Sequence, residues 1–246
     1  MRIDQFSGWV RRFWILSILA LALTACGGGS GGGTGFSVNV PVQDLDGTWF
    51  GSLSDTVGVL HVYQVTITGG AISEILIDAI DQGLTGAIVR ESDTLFSVTL
   101  SDGTEAGFLV DAAVQHAAFI DDGFNVGIVQ KDATGLPTFL INDTDGSWSG
   151  NSVTTDFTVF QEFVSSATCL NLSCAATGNG VTSSVDLSGT FSSAFGRWTG
   201  TFSNTAGISG TATVMLSVDK QFAGSFACDA AGVFPVDCEF SAWVKQ

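Results

Sequence analysis

The chain has 246 residues, of which 45% are hydrophobic and 13% charged, and its formal net charge is −16. This composition suits one or two packed domains. The acidic excess excludes nucleic acid as a partner and excludes electrostatic attraction to an anionic membrane, because like charges repel. Abundant Gly, Ser, Thr, Val and Phe with only 3 Pro predict an all-β body.

A signal peptide is predicted over residues 1–25. Arg2, Arg11 and Arg12 make its beginning positive, and the apolar run 14–23 follows them. This run is shorter than the ~20 residues that a helix needs to cross a bilayer. The segment therefore has the pattern of an export signal rather than of a membrane span.

A short motif ends this segment. Leu23-Thr24-Ala25-Cys26 resembles the lipobox of bacterial lipoproteins. The resemblance implies cleavage before Cys26, which then carries diacylglycerol through a thioether and usually an N-linked acyl chain such as palmitate. Two or three chains anchor a protein firmly where one does not. The alternative is an ordinary secretory cut that leaves Cys26 unmodified.

Residues 26–43 are interpreted as the lipidated Cys and a Gly-rich tether. The stretch 27–35 reads GGGSGGGTG and lacks the Lys that a phosphate-binding P-loop needs. As a flexible coil it would hold the folded body roughly 15–18 Å from the lipid. In Gram-negative lipoproteins an Asp after the lipidated Cys favours the inner membrane, so Gly27 favours the outer membrane. We expect a lipid-anchored envelope protein that faces the periplasm or the cell surface.

Removal of residues 1–25 takes away three Arg and one Asp, which leaves five basic and twenty-three acidic residues, a net charge of 5 − 23 = −18. Most of the acids are Asp beside Gly, Thr or Ser, as in Ser101-Asp102-Gly103. Such dipeptides are typical of hairpin turns. The charge therefore predicts an acidic, solvated surface on an exported protein.

One phrase occurs twice: DLDGTWFG at 44–51 and DTDGSWSG at 143–150. Short apolar segments at roughly ten-residue spacing follow each copy. This pattern predicts two tandem antiparallel meander domains of about eight strands, each a barrel or a sandwich, at 44–138 and 139–246. A third Gly-x-Trp-x-Gly, at 196–200, lies inside the second half.

A Gly-x-Trp at the first strand of a meander resembles the calycin group, which includes lipocalins and avidins. The resemblance implies a barrel in which the Trp closes one end. The other interpretation is that Trp49, Trp148 and Trp198 are core aromatic residues beside Gly that permits bends. Both interpretations make the repeated phrase the beginning of a domain.

Four further cysteines lie in the second half: Cys169, Cys174, Cys228 and Cys238. An even number in an exported domain predicts disulfides. Three pairings are possible, and the spacing favours Cys169 with Cys174 and Cys228 with Cys238. The spacing does not match a zinc site, so no metal is expected.

No catalytic, cofactor-binding or metal site is predicted. His61 and His116 lie in apolar, strand-like surroundings, and the chain has neither a Gly-x-Ser-x-Gly elbow nor an HExxH motif. The Asp pairs of the repeated phrase do not fit a calcium loop, because its Asp at position one and Glu at position twelve are missing. These Asp residues are interpreted as turn formers.

The sequence favours a non-enzymatic envelope lipoprotein whose β-domains act as a binding or structural module, with an envelope protein or an apolar small molecule as partner. The 19 Phe favour packed barrels. The alternative is a lipocalin-like carrier of a small apolar ligand. A second alternative is an integral outer-membrane β-barrel; the lipobox, the single Tyr and the C-terminal Val244-Lys245-Gln246 argue against it.

Overall fold

The structure is a computed structural model that describes residues 39–155, 160–229 and 238–246. The predicted signal peptide, Cys26 and the Gly-rich stretch lie outside the described residues. Within the described residues, a 3₁₀ turn, Val42–Leu45, precedes the first strand. All other regular structure there is β-strand.

The first barrel contains nine strands: β1 Gly47–Ser54, β2 Leu60–Thr68, β3 Ala71–Ile77, β4 Ile80–Asp81, β5 Gly86–Arg90, β6 Leu95–Leu100, β7 Glu105–Val110, β8 His116–Asp121 and β9 Val126–Lys131. Eight of them form a closed antiparallel barrel in the order β2-β1-β9-β8-β7-β6-β5-β3, which the β2–β3 pairing closes. The short β4 pairs with β3 alone.

The second barrel repeats this plan: β10 Gly146–Thr155, β11 Phe160–Leu170, β12 Ser173–Gly178, β13 Val181–Asp186, β14 Phe191–Ser192, β15 Arg197–Asn204, β16 Ser209–Leu216, β17 Phe222–Asp229 and β18 Cys238–Lys245. Its closed order is β13-β12-β11-β10-β18-β17-β16-β15, with β14 attached to β15. The prediction of two tandem all-β meanders is therefore confirmed, and both domains are barrels rather than sandwiches.

The strands alternate between the barrel interior and the outside, as antiparallel strands with one covered face do. In Val181–Asp186 every second residue is half-buried and the others are exposed. Hairpins form where Asp and Gly meet: the Asp102 carboxylate accepts a hydrogen bond from the Thr104 N–H at 2.9 Å, and Gly103 has φ +93°. The turn predicted at this position is confirmed.

The two barrels are joined by residues 132–145, where the predicted domain boundary falls. The fold begins earlier than the sequence indicated, since Val40, assigned to the tether, is 1% exposed and its N–H donates to the Asp93 carbonyl at 3.1 Å. An apolar side chain four residues before Asp44 is enough to attach the end of the tether to the core.

The repeated phrase forms the closed end of each barrel. In the first copy the indole N–H of Trp49 donates to the Leu45 carbonyl at 2.8 Å. Lys131 lies opposite Trp49 in the ladder, with its Nζ 5.6 Å from the ring centroid. The same ammonium donates to the Asp44 carbonyl at 2.8 Å. The Trp side chain is thus fixed by the preceding turn below it and a cation above it.

The second copy repeats these contacts. Trp148 donates to the Thr144 carbonyl at 2.9 Å, and Lys245 lies opposite it with its Nζ 5.2 Å from the ring. Lys245 also donates to the Asp143 carbonyl at 3.1 Å. The phrase is repeated because the chain builds the same barrel end twice.

The glycines of the phrase are required by close contacts. Gly47 and Gly146 have φ of +139° and +138°, a region that other residues rarely adopt. A Cβ on Gly51 would lie 1.9 Å from the Ile128 carbonyl oxygen, and one on Gly150 would lie 1.8 Å from that of Ala242. The first and last strands of each barrel therefore approach closely only because Gly occupies these positions.

The two barrels belong to one compact unit and share an apolar interface. Outward-facing residues of both barrels form one buried cluster: Leu95, Leu109, Ala118, Ile120, Ile128, Val153, Met215, Phe222, Phe226, Phe240 and Ala242. At Gly224 the backbones come so close that an added Cβ would lie 3.0 Å from the Cβ of Ala118. This cluster is a third core between the two barrel interiors.

Both disulfides favoured by the spacing are present. Cys169–Cys174 joins β11 to β12, and Cys228–Cys238 joins β17 to β18. Each links directly opposed residues of adjacent strands. Both therefore stabilise the second barrel.

Candidate functional site

The interior of the first barrel is filled by four aromatic rings. Tyr63 and Phe119 have ring centroids 4.9 Å apart, and Phe96 stacks on Phe108 at 5.4 Å. Burial raises the pKa of Tyr63. The remaining apolar cavity measures about 60 Å³. The first barrel is thus a packed core, as the Phe-rich composition predicts.

The second barrel has smaller side chains at the same places. The two ladders can be aligned from Trp49 and Trp148, which occupy the same position in each barrel. Three of the four rings are then replaced: Tyr63 by Ser165, Phe108 by Val214 and Phe119 by Ser225. The fourth, Phe96, corresponds to Trp198. The exchange runs the other way on the last strand of each barrel, where Val129 is replaced by Trp243. The second barrel therefore carries its aromatic rings at other positions and has small side chains at three of the four ring positions of the first.

Two cavities lie beside two of these exchanges, because Val214 lines one of them and Ser225 lines both. One of about 70 Å³ lies at the end marked by Trp148, and one of about 190 Å³ lies towards the opposite end, marked by Glu239. They share four lining residues: Ala176, Val185, Ser225 and Trp243. Together they make the inside of the second barrel the candidate functional site.

A chain of hydrogen bonds runs along one wall of this interior, from β11 through β10 to β18. The Ser152 hydroxyl lies 2.9 Å from that of Ser165 and 2.7 Å from that of Ser241. Ser241 donates to Oε1 of Glu239 at 3.1 Å. The three serines are at most 4% exposed, so this polar chain is part of the barrel interior. It ends at the larger cavity, which Ser241 and Glu239 both line.

Glu239 is the ionisable group of this interior. It alternates with Ser241 and Trp243 on the inward face of β18, and burial raises the pKa of its carboxyl. Trp243 covers the wall beside it and donates its indole N–H to the Ser225 hydroxyl at 2.8 Å. An apolar wall with a few fixed polar groups is typical of small-ligand sites.

No sequence motif marks this site. Ser165, Ser225 and Glu239 belong to no motif, and their position inside a barrel follows only from the strand register. The internal repeat nevertheless carries information about the site. When the two halves are aligned at Trp49 and Trp148, Tyr63 corresponds to Ser165. The internal repeat therefore contained information about the interior as well as about the domain boundary.

Trp198 does not begin a domain. It lies in the interior of the second barrel, where its indole N–H donates to the Ile141 carbonyl at 3.0 Å and its ring lies 4.8 Å from that of Phe191. Gly196 before it has φ +61°, and a Cβ there would lie 2.7 Å from the Phe139 ring. The third Gly-x-Trp-x-Gly thus packs the inter-barrel connection against the barrel.

Both histidines lie outside this interior. His116 binds Asp111 through Nδ1 at 2.9 Å and Asp219 through Nε2 at 3.0 Å, and it stacks on Phe222 between the barrels. Burial alone would lower the pKa of His116, but the two carboxylates raise it. These contacts bridge the two barrels.

The other histidine lies near the surface of the first barrel. Its Nδ1 is 2.8 Å from the Asp78 carboxylate, and that hydrogen bond raises the pKa of His61. Within the described ranges, no group of three or more His, Cys, Asp or Glu side chains could hold a metal ion. The same ranges contain no helix long and apolar enough to cross a membrane.

Comparisons with known proteins found a similar fold among solved structures. No family model matches the chain, and no curated protein matches it. One solved structure, a protein of unknown function of the DUF3598 family from Nostoc punctiforme, is similar over 85% of this chain and 100% of its own, with 11% identity and a TM-score of 0.35.

Proposed function

We propose that the protein is a lipid-anchored, non-enzymatic envelope lipoprotein whose second barrel binds a small ligand while its first barrel serves as a packed support. The observation behind this proposal is the replacement of Tyr63, Phe108 and Phe119 by Ser165, Val214 and Ser225 at equivalent ladder positions. The same barrel plan holds a cavity of about 60 Å³ in the first barrel and cavities of about 70 and 190 Å³ in the second.

The cost of leaving a barrel interior unfilled supports this proposal. Deleting large core side chains destabilises a protein by about 2–5 kcal/mol each when the space stays empty. In the second barrel two such exchanges, Phe108 to Val214 and Phe119 to Ser225, line cavities, and two disulfides brace the barrel wall. A bound ligand would replace the missing rings and give back part of that stability. A role in binding a ligand is thus favoured over a purely structural role. Among the interpretations of the sequence, a carrier of a small ligand is favoured over two fully packed barrels.

Mass spectrometry under native conditions tests the ligand site. We expect the protein, purified in mild detergent from its own host, to retain one small molecule per chain. Ser225→Phe restores the ring that Phe119 provides in the first barrel and should abolish binding. Ser184→Phe is the matched control, because Ser184 is exposed on β13 and should leave binding unchanged.

Val214→Phe is a second variant that fills the interior, because Val214 occupies the position of Phe108. In the first barrel Phe108 stacks on Phe96, and Trp198 occupies the position of Phe96 opposite Val214. Co-purification that survives both filling variants would place the molecule outside the barrel. A protein that carries no small molecule and takes none up would contradict the proposal.

The anchor is tested separately. Cys26→Ser removes the thiol that the lipobox resemblance assigns to diacylglycerol, so radioactive fatty acid should no longer label the protein. The variant should also appear in the soluble fraction or keep its signal peptide. Ser30→Ala, in the predicted tether, is the control and should leave labelling intact. Unchanged labelling of Cys26→Ser would contradict the anchor.

A further inference from the structure

The larger cavity lies at the end of the second barrel that Glu239 marks. Twelve described residues line it. Among these lining residues Glu239 is the single acidic side chain, and there is no Lys, Arg or His. The described wall of the cavity therefore offers a carboxyl group and no basic group.

The basic residues of the second half are used elsewhere. Residues 132–246 contain Arg197, Lys220 and Lys245 as their only Lys and Arg. Lys220 pairs with the Asp143 carboxylate at 2.8 Å, and Lys245 covers Trp148. The third, Arg197, donates to the Ser54 hydroxyl of the first barrel at 2.9 Å. All three lie at the Trp148 end, so none of them neutralises Glu239.

The cavity wall also suits a cation. Phe202 and Trp243 line it together with Glu239, and aromatic faces attract ammonium groups in a site shielded from water. Ser225 and Asn204 also line the cavity, but their oxygens already accept hydrogen bonds within the protein, from the Trp243 indole and from the N–H groups of Ala206 and Ile208. Glu239 is therefore the acceptor through which the cavity would hold an ammonium group. A carboxylate in such surroundings lacks a basic side-chain partner, and a buried carboxylate is stabilised strongly by an opposite charge.

Building on the proposed ligand site, we infer that the second barrel selects organic cations, namely a small ammonium compound whose charge pairs with Glu239 and whose apolar body lies against Trp243 and Phe202. A carboxylate ligand would meet repulsion from Glu239. A neutral alcohol would find hydrogen-bond acceptors but no ion pair. The site therefore distinguishes ligands by their charge.

Three probes of equal length separate these cases: hexylammonium, 1-hexanol and hexanoate. Calorimetric titration of the full mature protein in mild detergent at neutral pH should show hexylammonium binding about tenfold or more tightly than 1-hexanol, since a charge-assisted hydrogen bond exceeds a neutral one. Hexanoate should not bind. This comparison uses the unmodified protein, so it does not depend on any variant folding.

Variants then locate the preference. Glu239→Gln keeps the shape of the side chain and should reduce the preference for hexylammonium to about that for 1-hexanol, without weakening 1-hexanol. Glu105→Gln removes the same charge from an exposed site on the first barrel and should leave the preference intact. Ser225→Phe should abolish binding of both probes.

Each contrary result points to a different error. Equal binding of hexylammonium and 1-hexanol, lost in Ser225→Phe, would overturn the inference and leave the proposed ligand site intact. A preference that persists in Glu239→Gln would assign it to the overall negative charge and would also overturn the inference. Failure of every probe, with no co-purifying molecule, would refute the proposed function itself.

Discussion

At the scale of single residues, His116 is where protonation is coupled to the contact between the barrels. Its ring bridges Asp111 of the first barrel and Asp219 of the second, and its side chain is 10% exposed. The carboxylates raise its pKa above the ordinary value of 6.5. The stabilisation from the charged ring is therefore fully present below about pH 6.5 and is lost as the pH rises through the folded-state pKa.

We expect the free energy of unfolding, measured by urea titration, to fall as the pH rises above 6.5 in the wild type. The fall should be weaker in His116→Gln, because Gln does not titrate. His61 also has a raised pKa, so His61→Gln is the necessary control. This variant should retain the part of the pH-dependent fall in unfolding free energy that His116 causes. An identical pH dependence in the wild type and His116→Gln would contradict this account.

Individual residues also show which parts of the site a sequence can reveal. The Asp-x-Asp-Gly-x-Trp phrase predicts the barrel ends because each of its residues has a local reason. Trp49, for example, donates its indole N–H to the carbonyl of Leu45, four residues earlier in the chain, at 2.8 Å. Glu239 and Ser165 have no such local signature. Their role depends on what lies across the barrel, and this is set by register between distant strands.

At the scale of elements, alternation and turn chemistry made the strands predictable. Both barrels follow a simple up-and-down order with hairpin connections, so sequence neighbours are also neighbours in the sheet. The disulfide pairs follow from the same rule, because Cys169 and Cys174 flank one hairpin. The choice between barrel and sandwich was not predictable, since it depends on whether β1 pairs with β9 across the full length of a domain.

Packing of the barrel interior by aromatic side chains was predictable for the first barrel but not for the second. The number of Phe residues indicated packed interiors, and Phe96, Phe108 and Phe119 do fill the first barrel. In the second half, Phe222, Phe226 and Phe240 face outwards into the cluster between the barrels. Composition counts these rings but does not say on which face of a strand they lie, so it overestimated the packing of the second interior.

At the scale of the whole molecule, the cluster between the barrels determines whether the halves are independent. Each half has its own closed hydrogen-bond network, so each can satisfy its backbone without the other. Separation would nevertheless expose a cluster of large apolar residues on both sides. Burying such surface contributes roughly 25 cal/mol per Å², which favours association.

We therefore expect residues 36–138 and 139–246, expressed separately, to give β-type circular dichroism and to form a 1:1 complex when mixed, as measured by sedimentation. Phe222→Asp in the second half should abolish the complex, since Phe222 is fully buried and stacks on His116. Val164→Asp is the control, because Val164 is 50% exposed and lies outside the cluster. Halves that fold but never associate would show that the covalent connection, rather than the apolar cluster, holds the barrels together.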